Sequence, residues 1–152
     1  MGESVEPGRL SVLFLCVENA CRSQMAEAFL RRAAPENFDA FSAGLRATSV
    51  DPVAIGVMDE IGIDISGARS KSIEEYTEKE FDYIISVCGL DSEETCPVFM
   101  GRGKNRLNWL IPDPSVSRNT GEDVVRTFRS VRDQIKDRVE RFVIQVSDRS
   151  FA

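Results

Sequence analysis

Histidine is absent from the 152 residues. That removes the commonest general base and the commonest zinc ligand, so chemistry in this chain has to run on cysteine, carboxylate or cationic groups. Long apolar runs are also missing. A membrane-spanning helix needs about 20 apolar residues, and the run at 10–17 is too short and is followed by no small-residue cleavage site. The expected setting is therefore the cytoplasm, with no membrane partner. Positive charge is scarce: 19 Lys and Arg face 25 Asp and Glu, a net charge of −6. Nucleic acids and anionic membranes call for a basic face, so neither is an expected partner. No repeat or low-complexity tract is present. Residues 1–9 read as a flexible lead-in and 10–152 as a single domain, predicted to be a monomer.

What remains is an ordinary globular composition, 42% hydrophobic and 29% charged, with four cysteines. In a cytosolic chain these are catalytic, redox-active or metal-binding rather than a disulfide frame. The near-continuous apolar run 10–17 predicts a strand buried on both faces. A helix is expected at 23–34, where Met25, Phe29, Leu30 and Ala33 share one face. A strand at 38–42 follows, then a helix at 52–61, opened by Asp51-Pro52 and stopped by Gly62. A short helix is expected at 72–79, with Ser72 and Glu75 as a capping box. A strand is expected at 82–88. Between Cys88 and Pro112 periodicity is weak, with one short strand predicted near 108–111. The last helix is marked by Val124, Phe128, Val131, Ile135, Val139, Phe142 and Val146, with Thr120 and Asp123 as its cap. Alternating strands and helices predict an α/β three-layer sandwich, a four-stranded parallel sheet flanked by helices.

The chemistry concentrates between the first strand and the first helix, in Cys16-Val17-Glu18-Asn19-Ala20-Cys21-Arg22-Ser23. Loop N–H groups there can converge on one point, and the helix start adds its positive dipole end. Arg22 brings a planar donor fork suited to an oxyanion. An acidic protein thereby gathers positive potential at one spot, and Cys16 sits in it. A cysteine beside a helix N-terminus and an arginine favours the thiolate, the form that attacks. Ser23 is placed to donate to that sulfur, and Asn19 tolerates the left-handed backbone a tight loop needs. Residues 17–23 are the expected substrate-binding loop.

The run VLFLCVENACRSQMAEAFL resembles the opening of the low-molecular-weight tyrosine phosphatase superfamily, which includes the thioredoxin-coupled arsenate reductases. Phe41-Ser42-Ala43-Gly44-Leu45, Gly62-Ile63-Asp64-Ile65-Ser66 and Pro112-Asp113-Pro114 carry the resemblance further, over nearly the whole chain after Arg9. It implies a four-stranded parallel sheet, as read above. It implies Cys16 as nucleophile, Arg22 as anion ligand and Asp113 as general acid. Beyond the Asp-Pro, where phosphatases carry tyrosines, stands Ser115-Val116-Ser117. Cys88, Cys96 in Cys96-Pro97-Val98-Phe99, Ser70-Lys71-Ser72 and Phe128-Arg129 with Val131-Arg132 resemble the reductases instead.

That resemblance implies arsenate reduction through a Cys16, Cys88 and Cys96 disulfide relay, with no bound cofactor and an external thiol reductant. Thioredoxin is the expected donor, and seven residues between Cys88 and Cys96 leave a glutaredoxin or glutathione route open. Lys71 stands where some members carry an acidic residue that helps hold a potassium ion, so no potassium requirement is predicted. Cys21 is either packing or the partner of Cys16 in a protective disulfide. A phosphatase hydrolysing phosphate monoesters through a phosphocysteine is the nearest alternative. A zinc module and a non-catalytic anion-binding or redox-sensing module are the others, and no metal site is expected.

Overall fold

The computed structural model describes residues 9–89, 101–114 and 122–151. Four strands form one parallel sheet: β1 (Leu10–Cys16), β2 (Phe38–Gly44), β3 (Glu80–Cys88) and β4 (Arg102–Leu110), in the order β2-β1-β3-β4. The helices are α1 (Arg22–Ala33), α2 (Pro52–Asp59) and α3 (Glu122–Phe151), with one 3-10 turn at Ile73–Tyr76. Among the described residues no helix is long and apolar enough to cross a membrane.

β1 runs through the middle of the sheet, which explains its unbroken apolar sequence. Alternate residues feed two separate cores. Val12 and Phe14 join Met25, Phe29 and Leu30 of α1, Val57 and Met58 of α2, and Phe128, Val131, Ile135, Val139, Phe142 and Val146 of α3. Leu13 and Leu15 face the other way, into a smaller core with Ala43, Phe81 and Ile84. That core is closed by the 3-10 turn, whose Tyr76 packs edge-on against Phe41 and Phe81. The three α-helices thus share one face of the sheet, and the 3-10 turn covers the other among the described residues.

Several elements differ from their sequence-based bounds. β4 starts at Arg102, well before the expected 108, and pairs with β3 from Glu80↔Arg102 to Cys88↔Leu110. Its first residues, Arg102-Gly103-Lys104-Asn105-Arg106, carry no apolar alternation because an edge strand with wet faces needs none. The helix expected at 72–79 is only the 3-10 turn. Its capping box does not form: Ser72 Oγ accepts from the Glu74 N–H at 3.2 Å, while the Glu75 carboxylate takes both terminal nitrogens of Arg69 at 2.9 Å. α2 is capped as expected, Asp51 accepting from the Val53 N–H at 2.8 Å. It ends at Asp59, and the chain then turns through Gly62 at φ 82, a left-handed conformation that suits glycine. Thr120 of the expected α3 cap lies outside the described residues, as do the lead-in 1–8, Cys96 and the 115–117 run.

Candidate active site

β1 delivers Cys16 to the carboxyl end of the sheet, and α1 starts at Arg22, so the loop between them is short. Its carbonyls all face outward. Val17 O accepts from the Arg46 N–H at 3.2 Å, Ala20 O from the Asp51 N–H at 2.9 Å and Cys21 O from the Met25 N–H at 2.9 Å. Glu18 O accepts from Ser70 Oγ at 2.9 Å, and Asn19 O from Gln24 Nε2 at 3.2 Å. No peptide bond is cis among the described residues. In a trans peptide N–H and C=O point in opposite directions. The N–H groups of residues 18–22 therefore face inward, towards the Cys16 side. Cys21, at the N-cap of α1, makes no side-chain cap bond, and the first turn holds no acidic residue. The helix start is left as an anion site.

The sulfur of Cys16 lies 2.8 Å from Ser23 Oγ. The direction of that bond follows from its neighbours. Asn19 Nδ2 donates to Ser23 Oγ at 2.7 Å. Asn19 cannot be turned the other way, because its Oδ1 accepts from the Lys71 main-chain N–H at 2.7 Å and a backbone N–H only donates. A hydroxyl that accepts from Asn19 is left with its own proton for the sulfur. That proton is aimed at the attacking atom. Asn19 has φ 53, the one non-glycine residue with positive φ among those described, as its residue type allows.

β2 supports the loop from beside it. Cys16 pairs with Gly44 in the parallel register. A Cβ on Gly44 would sit 2.6 Å from Asn19 N, 2.7 Å from Val17 O and 2.8 Å from Glu18 C. All three are backbone atoms of the anion loop, so any side chain here displaces it.

Arg22 is buried, its side chain only 4% exposed. It donates to Ile111 O at 3.0 Å and lies 3.6 Å from the Asp113 carboxylate. The guanidinium thus ties the loop to the segment after β4 and brings Asp113 to the anion site. Cys21 is buried as well. Burial pushes its thiol well up from the ordinary range, with the adjacent Cys16 adding to the rise. Cys21 is packed in the core, and Cys16 and Cys21 are both free.

Lys71 enters the site through both its main chain and its ammonium. Its main-chain N–H holds Asn19 Oδ1. The ammonium donates to Arg69 O at 2.9 Å and lies 3.7 Å from Glu27; burial lowers its proton affinity and Glu27 opposes that effect. A monovalent cation beside Glu27 would meet an ammonium already in place, so these side chains do not fit one. Among the described residues no three Cys, Asp or Glu side chains converge as metal ligands.

Cys88 is not gathered with Cys16. β1 pairs with β3 through Leu15↔Ser86. Cys16 therefore shares a face with Val87, and pleating puts Cys88 on the other face. Cys88 is buried and disulfide-bonded. Arg46, Ser70, Gln24 and Gly44 were not assigned from sequence as supports of the loop. Their positions acquire meaning only when strands and turns distant along the chain meet.

Residues 11–150 match the profile of a family described as low molecular weight phosphotyrosine protein phosphatase. The chain is 37% identical over 131 residues to an arsenate reductase of Halalkalibacterium halodurans, covering 86% of this chain and 93% of that one. It is also 37% identical over 136 residues to a glutaredoxin arsenate reductase of Synechocystis sp., covering 90% and 98%. Among solved structures, an arsenate reductase in the phosphate binding state superposes with a TM-score of 0.72 at 35% identity, covering 90% of this chain and 98% of that one. A thioredoxin-dependent arsenate reductase of Corynebacterium glutamicum gives 0.63 at 26% identity, over 94% and 65%.

Proposed function

The chain belongs to the low molecular weight phosphotyrosine protein phosphatase family, and from that premise we propose that it is an arsenate reductase working in the cytoplasm with an external thiol reductant. The observation that carries the anion chemistry is the loop itself. Five carbonyls are pinned outward, so the opposing N–H groups face one point beside a sulfur that receives the Ser23 proton. A tetrahedral oxyanion is the ligand such a cradle suits. The choice of arsenate over a phosphate ester rests on the named relatives and on two further cysteines, Cys88 and Cys96, which ester hydrolysis does not use.

The reaction then runs as follows. The Cys16 thiolate attacks arsenic, and an oxygen leaves as water with a proton from Asp113. Arg22 and the loop N–H groups hold the remaining oxygens. The Cys88 thiolate next attacks the Cys16 sulfur. An S–S bond forms, the S–As bond breaks, and its electron pair stays on arsenic, which departs as arsenite. Cys96 attacks Cys88 and returns Cys16 to the thiolate. The two thiols oxidised balance the two electrons gained by arsenic, and a dithiol of the thioredoxin type reduces the Cys88–Cys96 disulfide. Because Cys16 and Cys88 project from opposite faces, the second step requires the end of β3 to leave its ladder. A glutaredoxin route, as in the Synechocystis relative's name, would dispense with Cys96.

The test is arsenate-dependent NADPH oxidation with thioredoxin and its reductase, run beside cleavage of p-nitrophenyl phosphate. Coupled turnover that disappears in Cys88→Ser while ester cleavage persists is the expected result. Full arsenate reduction without Cys88 would overturn the mechanism.

A further inference from the structure

Gln24 has no part in the chemistry above, yet it is one of the most thoroughly bonded side chains at the site. It is buried in the first turn of α1. Its Nε2 lies 2.8 Å from Asn19 Oδ1, 3.2 Å from Asn19 O and 2.9 Å from Arg69 O. Three oxygens surround that atom, so it is the amide nitrogen and not the oxygen of the side chain. One residue therefore grips both the carbonyl and the side chain of Asn19, the residue with positive φ, and ties them to the 69–71 segment. Beyond Asn19 the donors run in one direction, from Asn19 Nδ2 to Ser23 Oγ and from Ser23 to the Cys16 sulfur.

We propose that Gln24 is a positioning residue for the nucleophile, acting on Cys16 through Asn19 and Ser23. Without its amide, the Asn19 carbonyl loses its bond, and Oδ1 keeps only the Lys71 N–H. The left-handed turn at Asn19 then loses its tether, and the Asn19 amide no longer holds the Ser23 hydroxyl facing the sulfur. The Cys16 sulfur then loses its hydrogen-bond donor. The titratable and charged groups in and around the loop are Glu18, Cys21, Arg22, Asp51 and Asp113, with Arg46 beside Glu18 and Lys71 beside Glu27. Gln24 bonds to no ionisable side-chain group, its partners being Asn19 and the main-chain carbonyl of Arg69, which separates its effect from theirs. The inference rests on Cys16 being the nucleophile, but its test reads the thiol directly and needs no arsenate turnover.

The experiment is alkylation of Cys16 by iodoacetamide across pH, followed peptide by peptide to separate it from Cys21. Gln24→Met, of similar length and without a donor, should raise the midpoint of the rate profile by about one pH unit, a tenfold slower reaction below it, as loss of one hydrogen bond predicts. Asn19→Leu added to Gln24→Met should move the midpoint no further, because both act along one path. Gln24→Glu, which keeps the shape but replaces the amide donors, should shift it in the same direction and serves if Gln24→Met does not fold. A midpoint that stays in place while thermal stability falls would reduce Gln24 to packing. Additive shifts in the double variant would equally overturn the proposal. Failure of arsenate reduction alone would count against the reductase reading and leave this result standing.

Discussion

Two neighbouring strands of the sheet end in cysteine, and their ends are built in opposite ways. At the end of β1 almost every polar group is fixed from outside. Five carbonyls are bonded outward, Asn19 is held by Gln24 and Lys71, and Gly44 lies against the loop with no room for a side chain. At the end of β3 the main chain is held by the ladder with β4, up to Cys88↔Leu110, and by the Ile111 N–H donating to Cys88 O at 2.8 Å. The Cys88 side chain faces the opposite side of the sheet and is held by a disulfide. Recognition of an anion needs donors that do not reorganise. Sulfur exchange needs sulfur that can be reached and can move. On the proposed mechanism the two ends would divide the labour, with Cys16 held for attack and Cys88 moving to meet it.

The comparison can be broken first at the acid. Asp113→Asn should lower p-nitrophenyl phosphate turnover by about 10³-fold, the range for a general acid, while phosphate binding is retained. Stopped assays at saturating substrate read the loss; an unchanged kcat would remove Asp113 from the chemistry. A smaller effect is expected where the loop is only displaced. Gly44→Ala places a methyl within 2.6–2.8 Å of three loop atoms, and a misplacement of that kind costs about 10²-fold. Arsenate and ester reactions should fall together, because the damage precedes the divergence of the two. A loss confined to arsenate reduction would place Gly44 with β3 instead. Smallest of all is the effect of potassium. With the Lys71 ammonium beside Glu27, replacing sodium by potassium at equal ionic strength should change neither kcat nor KM. A several-fold rise in activity would contradict that.

The end of β1 was largely legible in the sequence, and the end of β3 was not. The apolar run of β1, the Cys and Arg flanking a tight turn, and the tolerance of Asn19 for positive φ are local signals, and each reads directly onto the structure. So does α3, where seven residues at helical spacing meet the sheet. The supports of the loop are illegible because they are distant. Gln24 matters through Arg69, and Gly44 through the register of β2 against β1. β4 was misjudged by six residues at its start because an exposed edge strand carries no burial pattern. The resemblance marks Cys88 as a candidate redox cysteine, but its facing away from Cys16 depends on pleat and register, which no spacing reveals.

The central claim is that Cys88 leaves its strand to join Cys16. The most direct measurement is a single turnover of Cys96→Ser with arsenate and no added thiol, followed by peptide mapping of the quenched protein. The account predicts one arsenite released per Cys16–Cys88 disulfide formed. Arsenite released with Cys88 still a thiol would contradict it.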